Sequence, residues 1–204
     1  MASRKQSHKR KTKETDILLE LDPDAAGEIR VDTGVPFLNH LLEALAFHGG
    51  FSLSVRAKGD LEVDPHHLVE DTGLALGEAL AGVLEASPAL ERFGHAVICM
   101  DDALSEASVD VCGRPFLVYR GQFPQPRAGD FDLALIREFL GALAGRARIN
   151  LHAELRYGTN SHHMAEALFK ALGKALRQAY SRAGSQGLLE KSPSAMSAKG
   201  TISD

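Results

Sequence analysis

The motif His-His-x-x-Glu occurs twice, as His66-His67-Leu68-Val69-Glu70 and as His162-His163-Met164-Ala165-Glu166, each time opening a stretch whose apolar residues recur at helical spacing. On a helix, residues four apart share a face, while the next residue along points about 100° away. Each copy can therefore offer one His and its Glu to one ion and its second His to another. One copy alone reads as the polar opening of a helix. Two copies point to a device that shares two metals.

Nine histidines occur, four of them in the motifs. His40 falls close to the apolar face set by Phe37, Leu41 and Leu45, and His152 lies in a strand-like stretch before the second motif. Taken singly, each reads as a satisfied core histidine. Beside the motifs they complete six imidazoles and two carboxylates, enough for two ions with three His nitrogens and one Glu oxygen each. Such donors suit Mn, Fe, Co, Ni or Zn without choosing among them, whereas Mg and Ca prefer more oxygen. His8, His48 and His95 have no counterpart in a repeat and read as structural or solvated. Cys99 and Cys112 lack ligand spacing and read as buried free thiols.

Holding an anionic substrate would fall to a few basic residues. Arg92, Arg114 within Cys112-Gly113-Arg114-Pro115, and Ser197 and Lys199 beside Gly200 offer a guanidinium fork, a point charge and an open backbone. Each also reads as an ordinary surface residue, and the tail lacks the spacing of a phosphate-binding glycine loop.

The elements that must position these groups follow from the apolar pattern. Residues 1–12 are basic and carry no apolar period, so a mobile arm is expected. From residue 13 the order is a strand to Leu21, a strand near Val31, a helix over Phe37 to Ala46 stopped by Gly49-Gly50, a strand over Phe51 to Ala57, and the first motif helix. The second half repeats it: strands over His95 to Met100 and Ser105 to Asp110, extended to Gly121, a helix over Leu133 to Ala144, a strand over Arg148 to Arg156, and the second motif helix. This predicts a first repeat over 13–93, a second over 94–184 and a tail over 185–204. The fold class is α+β, from internally duplicated strand-strand-helix-strand-helix units with helices packed between or against two sheets. The repeat equates His40 with Glu138 and His152 with Ser54, so each extra histidine is unique to its half.

The 204 residues carry 44% apolar content and a net charge of -4. That suits a globular protein and argues against a general nucleic-acid binder. No apolar run approaches a bilayer span and no signal peptide is evident, so a cytoplasmic location is expected.

The chain resembles imidazoleglycerol-phosphate dehydratase, a hydro-lyase family of histidine biosynthesis. The resemblance runs from about Lys11 onward through Lys13-Glu14-Thr15, the segment from Thr33 to Leu42 that includes Phe37-Leu38-Asn39-His40, and His48-Gly49-Gly50-Phe51. It continues through Gly59-Asp60, both motifs with Glu70-Asp71 and Asn160-Ser161, Arg92-Phe93-Gly94, Gly113-Arg114-Pro115, and Ser197-Ala198-Lys199-Gly200. It implies a fold like that of ribosomal protein S5 domain 2, and two manganese ions per active site on His40, His66, His67, Glu70, His152, His162, His163 and Glu166. It also implies phosphate and substrate contacts from Arg92, Arg114, Lys170, Ser197 and Lys199, with Glu14 as acid/base. The implied assembly is a 24-subunit shell with sites between subunits.

The implied reaction removes water from imidazole glycerol phosphate to give imidazole acetol phosphate. The hydrogen removed is not next to a carbonyl, so a carboxylate alone would face a poor acid. Manganese on the ring favours imidazolate, whose electrons expel the hydroxyl and leave a diazafulvene-like intermediate with an acidic neighbouring C–H. Glu14 can then take that proton, and the enol tautomerises to the ketone. Asn39 stands where the family commonly has Asp, and an imidazole N–H would find a weaker acceptor there. Ala198 stands where the family has Thr. Two rivals are a metallohydrolase, disfavoured by the lack of His-Glu-x-x-His, and an inactive shell in which metals clamp subunits.

Overall fold

The computed structural model describes residues 3–25, 27–87 and 89–184. Alternation of inward apolar and outward polar residues builds the strands: in β2 (Thr15–Asp22), Ile17, Leu19 and Leu21 are buried while Leu18 faces the other way. It is joined in one sheet by β1 (Gln6–Lys11), β3 (Ile29–Asp32) and β4 (Ser52–Gly59), in the order β1-β2-β4-β3. β3 and β4 run parallel, which requires a crossover, and α1 (Pro36–Gly49) supplies it. Gly50, in the left-handed region with φ 65°, ends α1. The first motif opens α2 (His66–Ala86).

The second half repeats the plan with β5 (Phe93–Met100), β6 (Ala103–Asp110) and β7 (Phe116–Arg120), a short hairpin of β8 (Arg127–Ala128) and β9 (Phe131–Asp132), α3 (Leu135–Ala147), β10 (Asn150–Tyr157) and α4 (Ser161–Tyr180). Its sheet order, β5-β6-β10-β7, matches the first strand for strand. The α+β duplication is therefore present, but the main sheet of each unit has one strand more than the apolar pattern predicts, and the second unit adds the β8–β9 hairpin. β2 and β6 begin 88 residues apart and β4 and β10 begin 98 apart, the difference being taken up by the stretch that holds the β8–β9 hairpin.

The missing strand of the first unit is β1, where a mobile arm was expected. Its residues pair with β2 along the whole length, from Gln6 with Leu21 to Lys11 with Asp16. As an edge strand it keeps charged side chains in alternation with half-buried ones, so order comes from backbone pairing rather than from an apolar face. Arg4, just before it, is buried and pairs with Asp24 and the Tyr180 carbonyl.

The helices lie between the sheets. α1 and α2 cover the first sheet, α3 and α4 the second, with α2 against α3 and α1 against α4. Both crossings use a glycine in the same place: a side chain on Gly77 would meet the Leu143 carbonyl, and one on Gly173 the Leu45 carbonyl. The absence of a Cβ lets the backbones approach closely. The expectation of two buried thiols holds for Cys112 only, since Cys99 is exposed. Among the described residues no helix is long and apolar enough to cross a membrane.

Candidate metal centre

Both motifs sit at helix starts where a side chain accepts from the N–H of the first motif histidine. Asp64 accepts from the His66 N–H at 2.6 Å, and Asn160 accepts from the His162 N–H at 2.9 Å. From there the two copies divide the work identically. The first His of each faces its own Glu one turn on, His66 Nε2 at 3.7 Å from Glu70 and His162 Nε2 at 3.3 Å from Glu166. The second His points elsewhere and takes a carboxylate on Nδ1: His67 from Asp60 at 3.0 Å, His163 from Asp102 at 2.7 Å. A carboxylate on one ring nitrogen fixes the tautomer and leaves the other as a ligand.

His40 joins the second copy. Its Nε2 lies 2.9 Å from Glu166 Oε2, and its ring centroid is 5.3 Å from that of His162. The donor atoms of His40, His162 and Glu166 all fall within 4.8 Å of one another, the one such group among the described residues. Glu166 is buried, yet its other oxygen accepts from Lys170 Nζ at 2.7 Å. Burial raises the carboxyl, but the hydrogen bonds from Lys170 and His40 outweigh it and bring the pKa down to about 2. A cavity of about 690 Å³ opens beside the group, walled by Phe37, Leu61, Pro65 and Phe131 as well as by His40 and His162. Pro65 precedes the first motif, and Phe131 comes from the inserted β9.

The remaining sequence candidates lie on two other surfaces. Glu14, in the β1–β2 turn, is 3.9 Å from His67 Nδ1 and so stands over the first motif. His152 is exposed on β10 between buried Leu151 and Ala153, on the outer face of the second sheet. It lines an open cavity of about 530 Å³ with His95, Ser108, Asp110, Asn150 and Gln178. Arg92 holds two of the residues that line this cavity, its guanidinium donating to both Asp110 oxygens at 2.7 and 3.1 Å and lying over the Phe93 ring. Arg114 is exposed at the same end of the sheet, where its carbonyl accepts from Asn150. Ser197 and Lys199 lie outside the described residues.

Three features differ from the sequence reading. Lys170 reaches the centre, but its ammonium is engaged with Glu166. Asn39 does not meet an imidazole: its Oδ1 accepts from the Thr33 N–H at 3.0 Å and the Thr33 hydroxyl at 2.6 Å, bracing the entry to α1. The sequence reading gave no role to the two orienting carboxylates. Asp102, in the β5–β6 turn, is held well below the usual carboxylate range by His163 first, then by the N–H and hydroxyl of Thr159 and the N–H of Asn160. Asp60 stands just after β4, and its hydrogen bond raises the His67 pKa against the opposing effect of desolvation.

A family model described as imidazoleglycerol-phosphate dehydratase matches residues 33–176. A Geobacillus sp. (strain WCH70) protein of that name is 51% identical over 170 residues, covering 83% of this chain and 87% of its own length. One from Desulforudis audaxviator is 50% identical over 179 residues, covering 88% and 91%. The crystal structure of the Pyrococcus furiosus protein superposes with a TM-score of 0.80 at 37% identity, covering 96% of this chain and 100% of the other.

Proposed function

Since the chain belongs to the imidazoleglycerol-phosphate dehydratase family, a hydro-lyase family of histidine biosynthesis, we propose that it converts imidazole glycerol phosphate to imidazole acetol phosphate at a two-manganese centre built on the paired motifs. The observation that carries this reading is the matching division of labour: in each motif the first His faces its Glu and the second is oriented by a carboxylate.

The donor set fits such ions. His40, His162 and Glu166 already converge as two imidazoles and an ionised carboxylate, a borderline nitrogen and oxygen set. His66 and Glu70 are the corresponding pair at the start of α2, and His67, His163 and His152 complete the eight. When bound, the metals supply Lewis-acid charge that favours the deprotonated form of the substrate's ring.

The chain's own residues do the rest. Glu14 takes the proton from the carbon beside the one that loses its hydroxyl, and the resulting enol tautomerises to the ketone. Lys170 keeps Glu166 ionised, and Asp60 and Asp102 aim His67 and His163. Arg92, Arg114, Ser197 and Lys199 hold the phosphate, with the Arg92 guanidinium lying over the Phe93 ring and oriented by Asp110. His152, Arg92 and Arg114 lie at the second sheet while Glu14 stands over the first motif. This separation supports sites assembled between subunits, and we propose the cytoplasmic shell of 24 copies that the family resemblance implies.

The test is to load the protein with manganese, supply imidazole glycerol phosphate and follow ketone formation. Wild type turns over, and Glu14→Gln assembles and binds metal but loses about 10²–10⁴-fold in kcat, the range for a positioned proton-transfer group. Unchanged turnover in that variant would remove Glu14 as the acid/base, and hydrolysis of phosphate esters without ketone formation would favour a metallohydrolase.

A further inference from the structure

Asp71 follows Glu70 directly and is buried at 7% exposure. The duplicated fold shows that packing does not require a carboxylate there: the same place in α4, one residue after Glu166, is the fully buried Ala167. A buried carboxylate persists only where partners offset its desolvation. Asp71 has two, and both come from the hairpin that carries Glu14. Arg10 Nε of β1 lies 2.8 Å from Oδ1, and the Thr15 hydroxyl of β2 donates to Oδ2.

Between those anchors the turn is fully braced. The Thr12 hydroxyl accepts from the Glu14 N–H at 3.1 Å and the Thr15 N–H at 2.9 Å, and it contacts the Thr15 hydroxyl at 3.2 Å. The Thr12 N–H donates to the Thr15 carbonyl at 2.9 Å, and the Glu14 carbonyl accepts from the Asp60 N–H at 3.1 Å. The side chain of Glu14 stands outward, exposed, toward His67. A hydrogen-bonded chain thus runs from α2, beside Glu70, through Thr15 and Thr12 to the backbone of Glu14.

We propose that Asp71 is a positioning residue, acting through Thr15 and Thr12 to fix the height of the Glu14 carboxylate above the first motif. This rests on the reading of Glu14 as the acid/base. The polar anchor occurs in one half only: where α2 has Asp71, α4 has Ala167, and the β5–β6 turn consists of Asp101 and Asp102, which lie 3.7 Å from His163 Nε2 and 2.7 Å from its Nδ1.

The experiment uses the manganese-loaded full chain. Thr15→Val keeps the side-chain volume and leaves the Asp71–Arg10 pair in place but breaks the chain. It should lower kcat about 10–100-fold, the scale expected from a displacement of around 1 Å, with KM and bound manganese unchanged. Thr15→Ser retains the hydroxyl and should restore kcat. Asp71→Asn should lower kcat similarly, and if it fails to fold, the Thr15 pair decides alone. Added to Glu14→Gln, Thr15→Val should cause no further loss, because both act through one carboxylate. Full activity in Thr15→Val, loss of manganese in step with kcat, or multiplied losses in the double variant would each overturn the proposal. If Glu14→Gln is itself active, the acid/base reading falls and the positioning role falls with it. If Glu14→Gln is inactive and Thr15→Val is fully active, only the positioning role falls.

Discussion

In each motif the second histidine takes its orientation from a carboxylate outside the motif, Asp60 for His67 and Asp102 for His163. The two motifs are local, so a helical period places them, and His40 could be drawn in by type. Asp60 and Asp102 are separated from their histidines by 7 and 61 residues, and no spacing rule joins a turn carboxylate to a helix it meets only after folding. Their hydrogen bonds to Nδ1 give a direct prediction. Asp60→Asn and Asp102→Asn keep an acceptor but remove the charge that raises imidazole basicity, so each should weaken manganese binding about 10–100-fold with the circular dichroism spectrum preserved. Unaltered affinity in both, by titration of the metal-free protein, would mean that these carboxylates hold loops rather than ligands. Asn39 teaches the converse: adjacency to His40 suggested a ligand partner, but a residue next to another on a helix points away from it, and Asn39 turns to Thr33.

At the level of elements, the helices and apolar strands were legible because each has a buried face with its own period. β1 was not, since its ordering depends on pairing with β2, which leaves no trace in its own composition. With β1 unseen, the second strands of the two units were matched to the wrong partners, and the equivalence of the two sheet orders was lost. The glycine crossings were also hidden, because a single Gly within a helical pattern carries no signal of what it meets. They make the duplication testable. Ala at Gly77 or Gly173 must push apart α2 and α3, or α1 and α4, and each should destabilise by about 1–3 kcal/mol or more, as overpacking does. Gly145, exposed on α3 with nothing near its missing Cβ, is the control. Ala there should stabilise by about 0.5–1 kcal/mol. Thermal or denaturant unfolding distinguishes the three, and equal effects would show that the crossings are not tight.

For the whole molecule, the decisive feature is that one chain holds apart the residues that the proposed site would bring together. Glu14 and the first motif belong to the first sheet's side, whereas His152, Arg92 and Arg114 stand on or beside the outer face of the second sheet, with the helices between. No rotamer of His152 can cross its own sheet, since the neighbouring Leu151 and Ala153 bury the inner face. If the eight ligands serve one pair of ions, His152 must meet Glu14 from a different copy, as symmetric assembly allows. Subunits that each lack one component should then complement each other. Glu14→Gln and His152→Ala are expected to be nearly inactive alone. Co-assembled in equal amounts, they leave about a quarter of the sites with both native residues, given random mixing over a symmetric shell. Activity should rise to that fraction of wild type, with native mass spectrometry verifying that the assemblies are mixed. Mixed shells that stay inactive would place both residues in sites belonging to single chains, contrary to their separation here.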